Sequence, residues 1–303
     1  MQRKVIKQGP NTLMVSLPIK WAKKNKIAKG DSVNLVEEYN SLIITKGILK
    51  EAVKKVEIEI KEEYKNTLVR AIISNLYKKG YDLIKVHVLG DKAVKKVQDA
   101  VNTIMGFEIT EQKENIITIQ NISKDLDIEF EKYLRRAFFM LIETTRVINE
   151  DFIKNKYPNQ QQIEQLNQNI KKFTDVCKRS ITKNDIYPEK NKLLYIIIWS
   201  LEKIANEYMY LYRKIAEIKP KKIEQILLKF LQETNIYFRT FYEDFYKIKK
   251  MDLDSFAKKK DDLYYNKSYN LLEKTQFPVI VMHLANIIRL TYNLINPYIG
   301  IEY

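Results

Sequence analysis

The sequence contains very little cysteine and has no long hydrophobic run. Cys177 is the only cysteine in 303 residues, which excludes an intramolecular disulfide and fits a reducing cytoplasm. The longest uninterrupted apolar stretch, Leu193 to Trp199, is too short to span a bilayer, and the N-terminal residues lack the apolar segment of a signal peptide. We therefore predict a cytoplasmic protein without a membrane span.

Glycine is scarce, and its distribution divides the chain. Six of the seven glycines lie in the first 106 residues, and the seventh is Gly300. The six are Gly9, Gly30, Gly47, Gly80, Gly90 and Gly106. Long helices tolerate a scarcity of glycine better than turn-rich β structure does. The chain is therefore predicted to be mixed α/β at first and all-α afterwards.

Positive charge exceeds negative charge over the whole chain, with a net charge of +15 and an isoelectric point near 9.4. Residues 1–50 alone contain ten Lys or Arg against three acids, a net charge of +7. Such a concentration of charge favours an anionic partner, above all nucleic acid. The alternative is a lysine-rich chain whose charges serve only solubility.

Residues 1–47 show the pattern of short strands around one short helix. Arg3 to Lys7 and Leu13 to Leu17 are strand candidates separated by a glycine-proline turn, and Pro18 precedes a short helix. Two further strands follow Gly30. A piece of this size buries little core alone, so we expect it to dimerise.

The motifs of this segment resemble the SpoVT/AbrB domain family. The resemblance is carried by Arg3–Gly9, Thr12–Pro18, Trp21 and Gly30–Val33, which match a basic strand, a glycine turn, a strand ending in Leu-Pro, a short helix and a Gly-Asp-x-Val element. It implies a homodimer whose interleaved, swapped hairpins form one small β-barrel that contacts double-stranded DNA.

Basic and polar side chains around the turn and on the short helix are the candidate DNA contacts. They are Arg3, Lys4, Lys7, Asn11, Thr12, Lys20, Lys23 and Lys24. Lysine neutralises phosphate but reads bases less well than a bidentate arginine, so we predict modest sequence specificity. The alternative for each lysine is a solvated helix face.

Residues 55–121 are predicted to form a second α/β unit. Strand-like alternation, two helical stripes and a final hairpin give the order β-α-β-α-β-β. We interpret this order as a ferredoxin-like layout.

Residues 124–303 are predicted to be helical throughout. Pro158, Pro188, Pro220 and Pro278 interrupt this region at intervals typical of helical hairpins. The spacing predicts six helices near 126–154, 160–182, 189–217, 221–249, 253–273 and 278–297. They form a bundle of two three-helix repeats, one on either side of Pro220.

The stretch Ser200–Tyr208 resembles the signature Leu-Glu-Arg-Ile-(Gly/Ala)-Asp of the PhoU family, and Leu284–Leu290 is a fainter copy. The combination with the N-terminal motifs is similar to archaeal-type proteins that join an AbrB-like domain to a PhoU-like bundle. It implies a regulator of phosphate uptake and homeostasis whose partners include a phosphate transporter or its regulators.

The same resemblance implies acidic i, i+4 pairs that hold metal clusters, and here those pairs are eroded. Glu202 is followed at i+4 by Asn206, and the other repeat has Ala285 and Arg289. The second helix, around Asn167 and Lys171, also lacks the expected acids. We predict no cofactor and no metal, with Glu202 and Asn206 as weak remnants of a metal site.

Together these patterns predict a DNA-binding transcriptional regulator in which the bundle senses a partner or ligand. The alternative is an adaptor that dimerises through the AbrB-like domain and binds a transporter component without contacting DNA. No nucleotide-binding loop or nucleophile motif is recognised, so we predict a non-enzyme with no catalytic residues. The aromatic-rich run Tyr237–Tyr246 and Cys177 are interpreted as core.

Overall fold

The structure, a computed structural model, describes residues 3–38, 41–45, 53–123, 129–184 and 186–302. The chain divides into two compact units, Met1–Val53 and Lys54–Tyr303. The first is small and strand-rich, whereas the second is mostly helical. The order predicted from the distribution of glycine, mixed α/β first and helical afterwards, is confirmed at this level. The predicted boundaries at residues 47 and 124 lie outside the described residues.

The first unit consists of two antiparallel hairpins and one short helix. Its elements are β1 (Ile6–Lys7), β2 (Leu13–Met14), α1 (Ile19–Lys24), β3 (Asn34–Glu38) and β4 (Ser41–Thr45). β1 and β2 are shorter than the strands predicted at Arg3–Lys7 and Leu13–Leu17. A two-stranded hairpin is only marginally stable without further strands, so its pairing does not extend far from the turn.

No side chain that the structure describes in the first unit is buried. Val5 is 63% exposed, Leu13 71% and Ile19 66%. Apolar strand residues normally bury at least one face against another layer. The described side chains of a single copy therefore form no core, and the interleaved barrel remains a prediction about two copies.

The second unit begins with a four-stranded sheet covered by two helices. Its elements are β5 (Lys55–Lys61), α2 (Asn66–Lys78), β6 (Leu83–Leu89), α3 (Asp91–Val101), β7 (Phe107–Lys113) and β8 (Ile116–Asn121). In β6 the buried residues Ile84, Val86 and Val88 alternate with more exposed ones. This period of two gives the sheet one apolar face and one solvated face.

The predicted order of elements, β-α-β-α-β-β, is confirmed, but the prediction of a ferredoxin-like layout was wrong. The sheet order is β5-β6-β8-β7, with β5 and β6 adjacent and parallel. A ferredoxin-like unit has the order β-α-β-β-α-β, a split arrangement. Here the chain after α3 returns as the antiparallel hairpin β7–β8, and β8 pairs with β6. A one-dimensional pattern does not determine which strands become neighbours.

The remainder of the second unit is helical. The helices are α4 (Phe130–Lys154), α5 (Gln160–Asn184), α6 (Asn191–Ile218), α7 (Gln225–Phe245), α8 (Leu253–Asp261), α9 (Tyr269–Lys274), α10 (Pro278–Tyr292) and α11 (Ile295–Glu302). A π-helical segment, Asp262–Ser268, joins α8 to α9. α4, α5 and α6 pack on one another, and α10 packs on both α6 and α7.

Aromatic side chains fill the centre of this bundle. Phe138 on α4 stacks on Phe238 and Phe241 of α7, with ring centroids 6.2 and 6.4 Å apart. Cys177 on α5 is fully buried, and burial raises the pKa of its thiol. The aromatic run of α7 and the single cysteine thus belong to the core, as their helical spacing predicts.

Within the described residues, the stretch Pro278–Glu302 is long and apolar enough to cross a membrane. Its best window has a mean hydropathy of 1.3 and is 44% buried inside the fold. The core helix of a soluble protein passes the same test, and here α10 packs on α6 and α7. The stretch is therefore weak support for a membrane span.

Candidate nucleic-acid interface

The turn between β1 and β2 positions part of the predicted DNA-contacting set. The backbone N–H of Gln8 donates to the carbonyl of Thr12 at 2.9 Å, and Gly9 has a φ of 76°, in the left-handed region that glycine adopts without strain. Lys7 pairs with Leu13 across the hairpin. The turn places Asn11 and Thr12 at an exposed tip.

Helix α1 carries the second part of the set. Pro18 precedes its first residue, and the backbone N–H and side-chain amide of Asn25 both reach the Trp21 carbonyl at its end. Lys20 and Lys24 are four residues apart, so they share one helix face, and Lys23 lies in the same last turn. α1 thereby concentrates positive charge over six residues.

All eight predicted contacts are exposed in the first unit. They are Arg3, Lys4, Lys7, Asn11, Thr12, Lys20, Lys23 and Lys24. One of the few acids nearby, Asp31, accepts a hydrogen bond from the backbone N–H of Ala28 at 2.9 Å. The unit therefore presents several cations to solvent, while their contact with DNA remains a prediction.

Glu202 in α6, the predicted remnant of a metal site, is engaged by side chains of α5. The Lys178 ammonium donates to Glu202 Oε1 at 2.5 Å, and the Thr174 hydroxyl donates to the same oxygen. The Lys178 side chain is 2% exposed, and burial lowers its pKa although Glu202 favours the charged form. The negative charge of Glu202 thus compensates the positive charge of the buried Lys178.

Two of the other positions named for the metal site, Asn167 and Asn206, carry amide side chains. The Asn167 side-chain N–H donates to Asn206 Oδ1 at 3.1 Å. Across the described residues, no group of three or more His, Cys, Asp and Glu is placed to hold a metal ion. The two histidines lie apart, with His87 3.4 Å from Glu57 and His283 2.7 Å from Glu207.

Sequence reasoning missed a buried polar joint between α5 and the α/β part of the second unit. Arg179 on α5 is 1% exposed and donates to the carbonyls of Tyr77 and Tyr81 at 2.9 and 2.7 Å. Its guanidinium also pairs with Asp82 at 2.5 Å, and Lys183 donates to the same carboxylate at 2.9 Å. This joint fixes the loop that follows α2 against α5.

A second contact of the joint lies one turn earlier on α5. The Asp175 carboxylate accepts from the Ser74 hydroxyl of α2 at 2.9 Å and lies 3.7 Å from the Lys78 ammonium. Burial and the charge of Glu202 raise the pKa of Asp175. The sequence signal was the acid and two bases at 175, 178 and 179, interspersed with the apolar residues Val176, Cys177 and Ile181.

The buried polar joint is expected to make the stability of the second unit depend on pH in the acidic range. Burial opposes ionisation of Asp82, but the hydrogen bonds from Lys183 and from the Lys54 backbone, with the charges of Lys183 and Arg179, hold its pKa below the usual 3.8. The ionised carboxylate is thus favoured by folding. Its contribution to stability is present above pH 3.8 and is lost as the pH falls through the lower folded-state value.

We expect the free energy of unfolding of Asp82→Asn to fall less than that of the wild type between about pH 7 and about pH 3. The variant lacks the group whose protonation weakens the joint. Urea unfolding followed by helical circular dichroism at the two pH values measures this difference. Equal falls in both proteins would mean that Asp82 contributes nothing to the acid sensitivity.

The first unit consists of two hairpins around a short basic helix, and the family match described next supports an AbrB-type domain there. Residues 6–57 match the model of the family described as Antidote-toxin recognition MazE, bacterial antitoxin. This match ends before α2, so it does not extend to the helical part or to its resemblance to PhoU. No curated protein and no solved structure matches the chain significantly.

Proposed function

We propose that the protein is a homodimeric, DNA-binding transcriptional regulator that contacts double-stranded DNA through its first unit. The observation that carries the proposal is the AbrB-type domain at residues 6–57, which contains six of the eight exposed basic or polar side chains, with Arg3 and Lys4 just before it. Lys and Arg that neutralise phosphates supply most of the sequence-independent affinity for DNA. The proposal includes a cytoplasmic location and no catalytic step.

Dimerisation is the structural basis of this proposal. Many apolar side chains of the first unit are exposed in one copy, including Leu13 at 71% and Val15 at 45%. Burying such a side chain contributes roughly 1.5–3 kcal/mol, and a symmetric dimer buries each of them twice. Two interleaved copies would supply the core that one copy lacks.

We expect the double substitution Leu13→Asp/Val15→Asp to shift the protein from a dimer to a single chain of 36.1 kDa, because it places charges in the proposed shared core. Light scattering coupled to size-exclusion chromatography measures the mass. Lys20→Asp/Lys24→Asp, on the exposed face of α1, is the control and should keep the dimer. A dimeric Leu13→Asp/Val15→Asp variant would place the interface elsewhere.

The test of DNA binding is fluorescence anisotropy of the full-length protein on labelled double-stranded DNA at several salt concentrations. Tight binding that weakens steeply with salt is expected, because each neutralised phosphate releases counterions. Absence of binding at low salt would reject the proposal. The adaptor function, dimerisation through the first unit and binding of a transporter component by the helices, would then replace it.

The helical part is proposed to sense a partner or ligand and to change the geometry of the paired first units. The resemblance of Ser200–Tyr208 to the PhoU signature supports phosphate uptake as the context, with a phosphate transporter or its regulator as partner. DNA affinity measured with and without inorganic phosphate and a purified transporter ATPase tests the coupling. Unchanged affinity in every case would remove this part of the proposal.

The description of the matching family favours one other function, the recognition of a toxin protein. In that case, the chain would bind DNA and a protein toxin, as an antitoxin-type regulator. Growth arrest caused by a neighbouring gene and relieved by this chain would support it. DNA binding is common to both proposals, so the partner of the helical part distinguishes them.

A further inference from the structure

An open groove runs between α7 and the helical segment 253–274 in the second unit. Both elements also pack on α10. Two cavities, of about 360 and 450 Å³, lie along the groove, and Glu233 lines both of them. The two cavities therefore meet at Glu233.

The groove has an apolar floor. Phe230 and Leu271 line one cavity, whereas Tyr237 and Phe256 line the other and stack with their ring centroids 4.0 Å apart. Ile236 stands at the rim and is 63% exposed. The four floor side chains are already buried, so the free energy gained when a partner covers the groove comes from exposed rim residues such as Ile236.

The apolar rim and floor continue at the other end of the groove. Ile226, in the first turn of α7, is 57% exposed and lines the smaller cavity. Thr240 lines the larger cavity and lies 14 residues further along the same helix, which corresponds to about 21 Å. A helix of about 14 residues, or four turns, matches this length.

Positive charge surrounds the apolar floor. Six lysines line the two cavities, namely Lys229, Lys249, Lys250, Lys259, Lys267 and Lys274. The carboxylates there are Glu224, Glu233 and Asp252. Six cations against three anions leave an excess of three positive charges along the groove.

The three carboxylates already hydrogen-bond within the chain. Glu224 accepts from the backbone N–H of Gln276 at 3.0 Å, and Asp252 accepts from the backbone N–H of Ser255 at 3.1 Å. Glu233 accepts from Lys267 at 2.9 Å where the two cavities meet. Lys267 and Lys259 also pair with Asp262, at 3.2 and 3.3 Å. The lysines that remain to face an occupant of the groove are Lys229, Lys249, Lys250 and Lys274.

We propose that this groove binds an acidic amphipathic helix of a partner protein. Apolar residues at the i, i+4, i+7 and i+11 positions of such a helix would enter the two cavities, and its Asp and Glu residues would face the lysines. The inference rests on the length of the groove, on the exposed apolar side chains of Ile226 and Ile236, and on the excess of lysine charge. DNA would contact the lysines but would leave Ile226 and Ile236 uncovered.

This interaction surface is independent of DNA binding by the first unit. The probe is a labelled amphipathic peptide of about 14 residues, with leucine on one face and glutamate on the others. Its counterpart keeps the leucines and replaces each glutamate with lysine. By anisotropy, the glutamate peptide is expected to bind the full-length protein at least about tenfold more tightly than the lysine peptide.

Charge reversal in the groove tests the site itself. Lys229→Glu/Lys274→Glu changes two exposed residues at one end and is expected to weaken binding of the glutamate peptide by at least about tenfold. Lys92→Glu/Lys95→Glu is the matched control, because it reverses two exposed lysines on α3. The control should keep the peptide affinity of the wild type.

Ile236→Glu tests the apolar contribution to peptide binding, and it is also expected to weaken binding of the glutamate peptide. Because Ile236 is exposed, the fold should tolerate the change, and unchanged DNA affinity and circular dichroism verify this. The proposal is overturned by equal affinity for both peptides, by no binding of either, or by a groove variant that binds like its control. A fall in oligomer mass on Ile236→Glu would also overturn it, since a second copy would then occupy the groove.

Discussion

Replacing Arg179 with alanine is expected to lower the free energy of unfolding of the second unit by about 3–5 kcal/mol. Arg179 is 1% exposed and pairs with Asp82 while donating to two backbone carbonyls. Removing it leaves the carbonyls of Tyr77 and Tyr81 buried without this donor. The Asp82 carboxylate keeps Lys183 but loses the guanidinium.

Urea unfolding followed by helical circular dichroism measures this effect, because nearly all helices of the described residues belong to the second unit. Arg213→Ala is the matched control. Arg213 pairs with Glu164 at 2.7 Å, but its side chain is 47% exposed, so its loss should cost less than about 1 kcal/mol. Equal effects of the two substitutions would show that the joint at Arg179 does not stabilise the fold.

The second large effect is expected on DNA binding. The variant Lys4→Ala/Lys7→Ala/Lys20→Ala/Lys23→Ala removes four exposed cations per copy, and hence eight per dimer. Each lost phosphate contact reduces the slope of log affinity against log salt by about 0.9, so the slope should fall by up to about 7. At moderate salt the affinity should fall on the order of a thousandfold.

The slope of log affinity against log salt distinguishes direct contact with DNA phosphates from a general effect of the net charge. A control that changes Lys92, Lys95, Lys171 and Lys192 to alanine removes the same charge from exposed sites of the second unit. It should leave the slope nearly unchanged, because those lysines lie outside the proposed interface. A control that loses as much affinity and slope as the first variant would assign DNA binding to the net charge rather than to the first unit.

Local patterns in the sequence predicted the features that depend on neighbouring residues. The apolar spacing around Phe238 and Phe241 predicted a core helix, and both rings stack on Phe138. Motif spacing predicted the AbrB-type domain that the family match supports. Such features can be predicted from the sequence because a helix or a short motif is determined by residues close together in the chain.

Features that depend on distant contacts were not predicted. The strand order β5-β6-β8-β7 requires β8 to pair with β6 across α3 and β7, which no local pattern encodes. Arg179 was overlooked because a buried arginine contradicts the usual preference for exposure and is explained only by partners about 100 residues away. The groove beside α7 likewise arises from the spacing of whole helices.

Helix α5 belongs to two layers at the same time. Its inner side packs on α4 and α6, while Asp175 and Arg179 attach it to α2 and the loop after it. The α/β part and the bundle therefore share the side-chain contacts of α5, and we expect the two parts to unfold cooperatively. A displacement of α5 would act on α2 and on the loop after it through these same contacts.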